Sequence, residues 1–297
     1  MPDDRGATER IRVGPAGWSY QDWAGQVYPK PRPRGFNALA YVAQFFDTVE
    51  INSTFYRIPG PATTRNWASH AAGNSHFMFT AKLWQGFTHA RTATDRDQVA
   101  FRQAMAPLHE VGRLGAVLLQ FPYRFHYTAD NRAYVRQLAE AFADYPLVLE
   151  IRHKSWDRPE VFAWLQEVEI GFCNIDQPDM SSNIALTRRV TSPIGYLRIH
   201  GRNAAAWFAP EADAAARYDY RYPAGELAEI VAAVEVISRQ AREVYLIANN
   251  HFRGQSAVNA LELRSQLLHA PIPIPPPLLA AYPELEQIAA PASEGHR

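Results

Sequence analysis

The chain contains a single cysteine, Cys173, no surplus of either charge and no long apolar run. One thiol cannot form an intrachain disulfide. Thirty basic and thirty acidic residues cancel, so no global field draws the protein to DNA, RNA or an anionic membrane, although a local patch is compatible with that balance. No apolar stretch approaches the roughly 20 residues needed to span a bilayer, so no membrane partner is expected. Met1 to Arg10 is polar and lacks a signal-peptide core, which together with the lone thiol predicts a reducing, cytoplasmic location. Also missing are internal repeats and a glycine-rich phosphate loop behind an early strand, the usual mark of an open doubly wound sheet.

What remains is ordinary globular composition, 47% apolar and 20% charged over 297 residues. A chain of this length buries roughly three quarters of its unfolded surface and needs no disulfide or metal to stand. Eight short runs rich in β-branched and apolar residues read as strands: Ile11 to Gly17, Asp47 to Asn52, His76 to Lys82, Ala116 to Phe121, Leu147 to His153, Gly171 to Asp176, Gly195 to Gly201 and Val244 to Asn250. Between most of them lie stretches with apolar spacing of three and four: Asn37 to Phe46, Thr64 to Ala72, Asp95 to Val111, Asn131 to Asp144, Pro159 to Val168, Gly225 to Ala241 and Ser256 to His269. This alternation predicts parallel strands with right-handed crossovers. Eight units in about 260 residues predict a single (β/α)8 TIM barrel over residues 11–270. The weakest unit is Gln177 to Pro193, whose helical pattern is poor. Residues 271–297, with Pro271, Pro273 and Pro275 to Pro277, are expected to form an extended proline-rich C-terminal arm.

Side chains alternate faces along a strand, so one parity meets the helices and the other points into the lumen. The inward set is then Thr48, Glu50 and Asn52; Thr80 and Lys82; Leu118 and Gln120; Glu150 and Arg152; Asn174 and Asp176; Arg198 and His200; and one of Asn249 or Asn250. Cys173 takes the helix-facing parity and is expected to be inert core. Polar inward residues accumulate at the C-terminal ends of the strands, the face that carries the active site in barrel enzymes. Connections after the strands add Trp18, Tyr20, Trp23, Tyr28, Phe55, Tyr56, Trp84, Phe87, His89, Trp156, Trp207 and Phe208, walls suited to stacking on rings or to packing on one another.

Several dispersed segments carry a likeness. V-G-P-A-G-W-S-Y from Val13, D-T-V-E-I-N-S-T-F-Y from Asp47, E-I-R-H-K-S-W from Glu150, R-I-H-G from Arg198 and N-N-H-F-R-G-Q-S-A-V-N-A from Asn249 resemble the YecE-like family of TIM-barrel proteins of unknown function. The likeness runs from about Ile11 to Leu268. It implies the barrel and little chemistry. By position it marks Gly17, Trp18, Glu50, Asn52, Phe55, Tyr56, Glu150, Arg152, His153, Trp156, Asp176, His200, Gly201, Asn249 and Asn250. Two departures from the pattern, Lys154 and Tyr123, replace prolines in connections.

Three readings of the ring stay open. In the first, an enzyme acts on a small phosphate- or carboxylate-bearing substrate by acid/base chemistry, as hydrolase, isomerase or lyase. Glu50, Glu150, His200, Asp176 and Lys82 are then the catalytic candidates, and Arg152, Arg198, Asn52, Gln120, Asn249, Asn250, Trp18, Tyr56, His153 and Trp156 bind substrate. That reading needs no cofactor. In the second, a divalent metal is held by Glu50, Glu150, Asp176 and His200, with Lys82, Arg152 and Arg198 crowding the cation. In the third, an endonuclease-like barrel binds or repairs nucleic acid, a class that zero net charge disfavours. A retaining glycosidase is also disfavoured, because Glu50 and Glu150 stand three strands apart where the chemistry wants paired carboxylates about 5 Å apart.

Overall fold

A computed structural model describes residues 10–204 and 219–291. Trp207, Phe208 and the last six residues of the expected arm lie outside the described residues. Among those described, eight parallel strands form one sheet in the order β1-β8-β7-β6-β5-β4-β3-β2. In chain order the elements are β1 (Ile11–Pro15), α1 (Ala38–Val42), β2 (Thr48–Ile51), α2 (Ser53–Tyr56), α3 (Pro61–His70), β3 (Met78–Lys82), α4 (Gln85–Thr88), α5 (Asp95–Glu110), β4 (Leu114–Gln120), α6 (Ala129–Ala141), β5 (Leu147–Glu150), α7 (Pro159–Glu167), β6 (Gly171–Asp176), β7 (Ile194–Ile199), α8 (Ala224–Ser238), β8 (Glu243–Ala248), α9 (Gln255–Leu268) and α10 (Pro276–Ala281).

The sheet curls until β1 meets β2, where a parallel bridge joins Ala16 to Glu50 and the Gly17 N–H donates to the Glu50 carbonyl at 2.9 Å. Gly14 permits this closure, since a Cβ there would sit 1.8 Å from the Thr48 carbonyl oxygen. The result is a nearly closed barrel wrapped by helices, as the strand count predicts.

Helices begin where side chains satisfy their free amides. Asn37 accepts from the Ala40 N–H at α1, Thr94 and Asp97 form a reciprocal capping box at α5, and Thr128 accepts from the Asn131 N–H at α6. In α5, Phe101, Ala104, Met105 and Leu108 make the buried stripe expected of helical spacing. Apolar groups fall into three clusters. One lies between β2–β5 and the helices that follow them, a second between β7, β8 and β1 and α8 and α9, and a small third fills the lumen with Ala16, Ala116, Leu118, Val148, Cys173, Ile175, Tyr196, Tyr245 and Ile247.

Two expectations need correction. Cys173 does not face the helices; it and Ile175 belong to the lumen cluster. The proline-rich arm is not extended. Pro276 and Pro277 occupy the first positions of α10, where fixed φ and a missing amide fit a helix start, and Leu278 and Leu285 are buried in the second cluster. Ile272 also bridges to Ala289. The segment 177–193 contains no helix, in keeping with its poor pattern. No helix among the described residues is long and apolar enough to cross a membrane.

Candidate functional site

Inward parity places Glu50 on β2, Lys82 on β3, Gln120 on β4, Glu150 at the end of β5, Arg198 on β7, and Arg152 and His200 just past their strands, all at the C-terminal mouth. Arg198 is the hub and is wholly buried. Its Nη2 donates to Glu50 Oε1 at 2.7 Å, and its Nη1 donates to Glu150 Oε2 and reaches Gln120 Oε1 at 3.4 Å. Arg152 closes the other side, donating from Nε and Nη2 to Glu150 Oε1 at 3.0 and 2.8 Å. The Tyr196 hydroxyl donates to Glu50 Oε2 at 3.0 Å, with Thr80 2.8 Å behind it. Every oxygen of both carboxylates therefore accepts a hydrogen bond inside the protein.

These bonds decide which groups can move protons. Burial pushes the Glu150 carboxyl up, but Arg198 and then Arg152 override it and hold it well below the usual carboxylate range. An acid held that low, with both oxygens occupied, is a poor base at neutral pH. His200 is buried, with Nδ1 3.0 Å from the Asn249 amide and Nε2 within 3.5 Å of Arg152 and 3.4 Å of Arg198. Burial, reinforced by both guanidinium groups, lowers its pKa well below the ordinary value, so the ring is neutral.

Lys82 differs from every other charge in the ring. It lies partly buried beside Arg198, Glu50, Glu150 and Arg152, yet among the described residues its ammonium has no hydrogen-bond or ion-pair partner. The Phe55 ring stands against it, with its centroid 5.4 Å from Nζ. Desolvation, then the Arg198 charge, lowers its pKa to about 8. The backbone at this point is fixed, because the Thr54 hydroxyl of α2 donates to the Lys82 carbonyl at 2.7 Å.

Other expected site residues lie elsewhere. Asp176 turns outward: Arg202 donates to it from Nε and Nη2 at 2.8–3.1 Å, and the Tyr222 hydroxyl donates at 2.5 Å. It is withdrawn from the catalytic set and from the metal set. Asn174 is outward as well, holding the 187–189 segment through Thr187 and the Arg189 backbone. Asn249 takes the inward place at the end of β8, while Asn250 donates to the Tyr220 carbonyl and to Asn259.

Trp156 is fully buried, stacks on Phe125 and donates to the Phe125 carbonyl at 2.7 Å, so it is core and not a substrate wall. Trp18 packs edge-on against Trp67 and lines a cavity of about 330 Å³ toward α1 and α3 that contains none of the ring's charges. Tyr56 is 70% exposed beside Phe55, and Asn52 keeps a buried Oδ1 with no hydrogen-bond partner among the described residues. His153 accepts from the Ser155 N–H and packs its ring on His126, 3.9 Å between centroids. The two departures, Tyr123 and Lys154, both bond the Ser181–Ser182 segment beyond β6.

Sequence reasoning missed Tyr196, although its parity with Arg198 pointed it into the lumen. Nothing in the pattern marked Arg202 or Tyr222, which lie outside the strands. Among the described residues no group of three or more His, Cys, Asp or Glu side chains is arranged to hold a metal; Glu50 and Glu150 both face Arg198, and Asp176 lies on the other side of its strand.

Comparison with known proteins places the chain. Residues 12–279 match the family model described as protein of unknown function DUF72. The UPF0759 protein YunF of Bacillus subtilis is 27% identical over 272 residues, 85% of this chain and 93% of that protein. A crystal structure of a DUF72 family protein from Enterococcus faecalis superposes with a TM-score of 0.78 at 30% identity, covering 89% of this chain and 98% of that one. One from Thermotoga maritima gives 0.73 at 30% identity, covering 87% and 99%. The assignment to a YecE-like family is thereby corrected, since the family these matches name is DUF72.

Proposed function

We propose that this chain, which belongs to the DUF72 family, is an enzyme that takes a small phosphate- or carboxylate-bearing substrate over the barrel mouth and acts on it by acid/base chemistry at Lys82 and His200. The barrel is a fold common to many enzyme families, and its mouth is the place where such chemistry is found. The observation that carries the reading is the charge count of the ring. Glu50 and Glu150 oppose Arg198, Arg152 and Lys82, His200 is neutral, and the positive charge left over sits on Lys82, the ring cation that among the described residues has no hydrogen-bond or ion-pair partner. A desolvated, unpaired ammonium is costly, and an anion bound against it offsets that cost.

Roles follow from exposure and pairing. Arg152 is bonded to Glu150 and keeps part of its side chain accessible, so its positive charge adds to the attraction for an anion over the mouth. Lys82, lowered toward neutrality, gives or takes the proton. His200 supplies an uncharged donor or acceptor oriented by Asn249. Glu50 and Glu150 are counter-ions that hold the arginines, in place of the catalytic role first expected of them. Hydrolase, isomerase and lyase reactions all fit this equipment.

The test is calorimetric titration with inorganic phosphate and pyrophosphate at low salt, followed by a screen of phosphorylated and carboxylated metabolites for turnover. Saturable binding that weakens at least tenfold in Lys82→Met supports the reading. Equal binding by wild type and Lys82→Met overturns it.

A further inference from the structure

We infer that Lys82 is a nucleophile: its amine condenses with the carbonyl carbon of an anionic aldehyde or ketone, such as a 2-oxo acid or a phosphorylated keto compound, to form an imine. This rests on the anion-binding reading above and adds the reacting group of the substrate.

Composition supplies the first argument. The chain has three lysines, Lys30, Lys82 and Lys154, among thirty basic residues, so it meets nearly every need for positive charge with arginine. Lys30 and Lys154 are exposed. The third stands in the mouth beside two arginines that already grip carboxylates. Arginine is the better residue for holding an anion by two parallel bonds, and what lysine adds is the ability to lose its proton and attack carbon.

Geometry supplies the second. Every oxygen of both neighbouring carboxylates already accepts a hydrogen bond from Arg198, Arg152 or Tyr196, and among the described residues neither bonds the ammonium. The groups facing it are Glu50 from β2, Glu150 and Arg152 from the end of β5, Arg198 and His200 from the end of β7, and His89 past α4, itself shifted down by burial and by Lys82. Among the described residues no carboxylate bonds the ammonium, and burial with the guanidinium charges lowers its pKa to about 8, so more of it is free amine near neutrality than in an ordinary lysine, and the free amine is the form that attacks a carbonyl. The substrate's phosphate or carboxylate is then held by the Arg152 charge that acts on Lys82 while its carbonyl meets Nζ.

The chemistry balances without an oxidant or reductant. The Nζ lone pair adds to the carbonyl carbon and the π electrons go to oxygen, which takes a proton. The carbinolamine then loses the second amine proton and its hydroxyl as water, leaving C=N. His200 is placed to relay a proton in the mouth.

Full-length protein is incubated with pyruvate or with dihydroxyacetone phosphate, reduced with borohydride, digested and read by mass spectrometry. Lys30, Lys154 and the amino terminus serve as internal controls. Saturable reduction-dependent modification confined to Lys82, suppressed by inorganic phosphate and absent in Lys82→Arg, supports the inference; the probe that reacts distinguishes an oxo acid from a phosphorylated ketone. Modification spread evenly over all three lysines, or none at Lys82 with either probe, overturns it. If phosphate still binds in that event, the anion-binding reading stands alone; if phosphate binding also fails, both fall.

Discussion

Replacing Arg198 with methionine tests the logic of the ring most directly. The guanidinium is wholly buried and bonds both Glu50 and Glu150. A methionine of similar length fills the volume and leaves two buried carboxylates with Arg152 as the remaining paired cation. Removing one partner of a buried ion pair costs about 3–5 kcal/mol. With an unfolding entropy of about 2.1 cal/mol/K per residue, a chain of this size loses about 5–8 °C in Tm for that cost.

The pH dependence has a definite sign. In the wild type Glu150 is held below its ordinary value of 4.5, so its contribution is present above that value and is lost as pH falls through the folded one. Without Arg198 the largest of the lowering influences is gone, the folded value moves up, and the variant is penalised most where the carboxyl must ionise. The Tm deficit should therefore be greatest at pH 8 and shrink toward pH 4.5, as followed by circular dichroism. A deficit under about 2 °C at pH 8, or one that widens with acid, would refute the account of Arg198 as the hub.

The other substitutions separate roles within and around the mouth. Lys82→Met should match or exceed wild-type stability at pH 7. Because the folded Lys82 deprotonates near 8 against 10.5 unfolded, wild-type stability should gain on the variant as pH rises through that window, and parallel Tm curves between pH 7 and 10 would count against an unpaired buried lysine. Glu150→Gln should lower stability by about 3–5 kcal/mol in urea melts while strengthening phosphate binding severalfold, because it removes a counter-ion; weaker binding would mean that the carboxylate, not the arginines, sets the anion site. Asp176→Asn breaks the charge on its bonds from Arg202 and Tyr222 and should cost about 1.5–3 kcal/mol. Its phosphate affinity should be unchanged, and a loss there would return Asp176 to the site.

Strand parity carried most of the architecture because most strands have a helix outside them. On β2, β4, β5 and β7 the outward positions meet apolar helix faces, so Val49, Ile51, Val117, Leu119, Leu149, Leu197 and Ile199 announce the outer core. Polar residues at the other parity then fall in the lumen, which placed Glu50, Gln120, Glu150 and Arg198 correctly relative to one another. The rule failed on β6. The connection that follows this strand, residues 177–193, has no helix, and its outer face meets loop backbone that needs hydrogen-bond partners. Asn174 supplies them to residues 187–189, and Asp176 anchors Arg202. Polarity on β6 therefore marks the outside, and the apolar Cys173 and Ile175 the inside. The same weak helical pattern over Gln177 to Pro193 was visible beforehand, so the inversion had a signal; it lay in the neighbouring element and not in the strand.

The roles within the ring were less legible than its membership, for a physical reason. A residue type states what a side chain can do alone, whereas acid/base function depends on which partner takes each oxygen and nitrogen. Two glutamates in a mouth suggest bases until both prove to be held by Arg198, Arg152 and Tyr196. Lys82 suggests an electrostatic clamp until it proves to be the cation those bonds leave out. The occupancy and the exclusion belong together: the planar, forked arginines take the carboxylate oxygens, Glu150 pairing with both Arg198 and Arg152 and Glu50 with Arg198. Lys82 is left with a lowered proton affinity, which is why the proposed chemistry rests on it and not on the carboxylates.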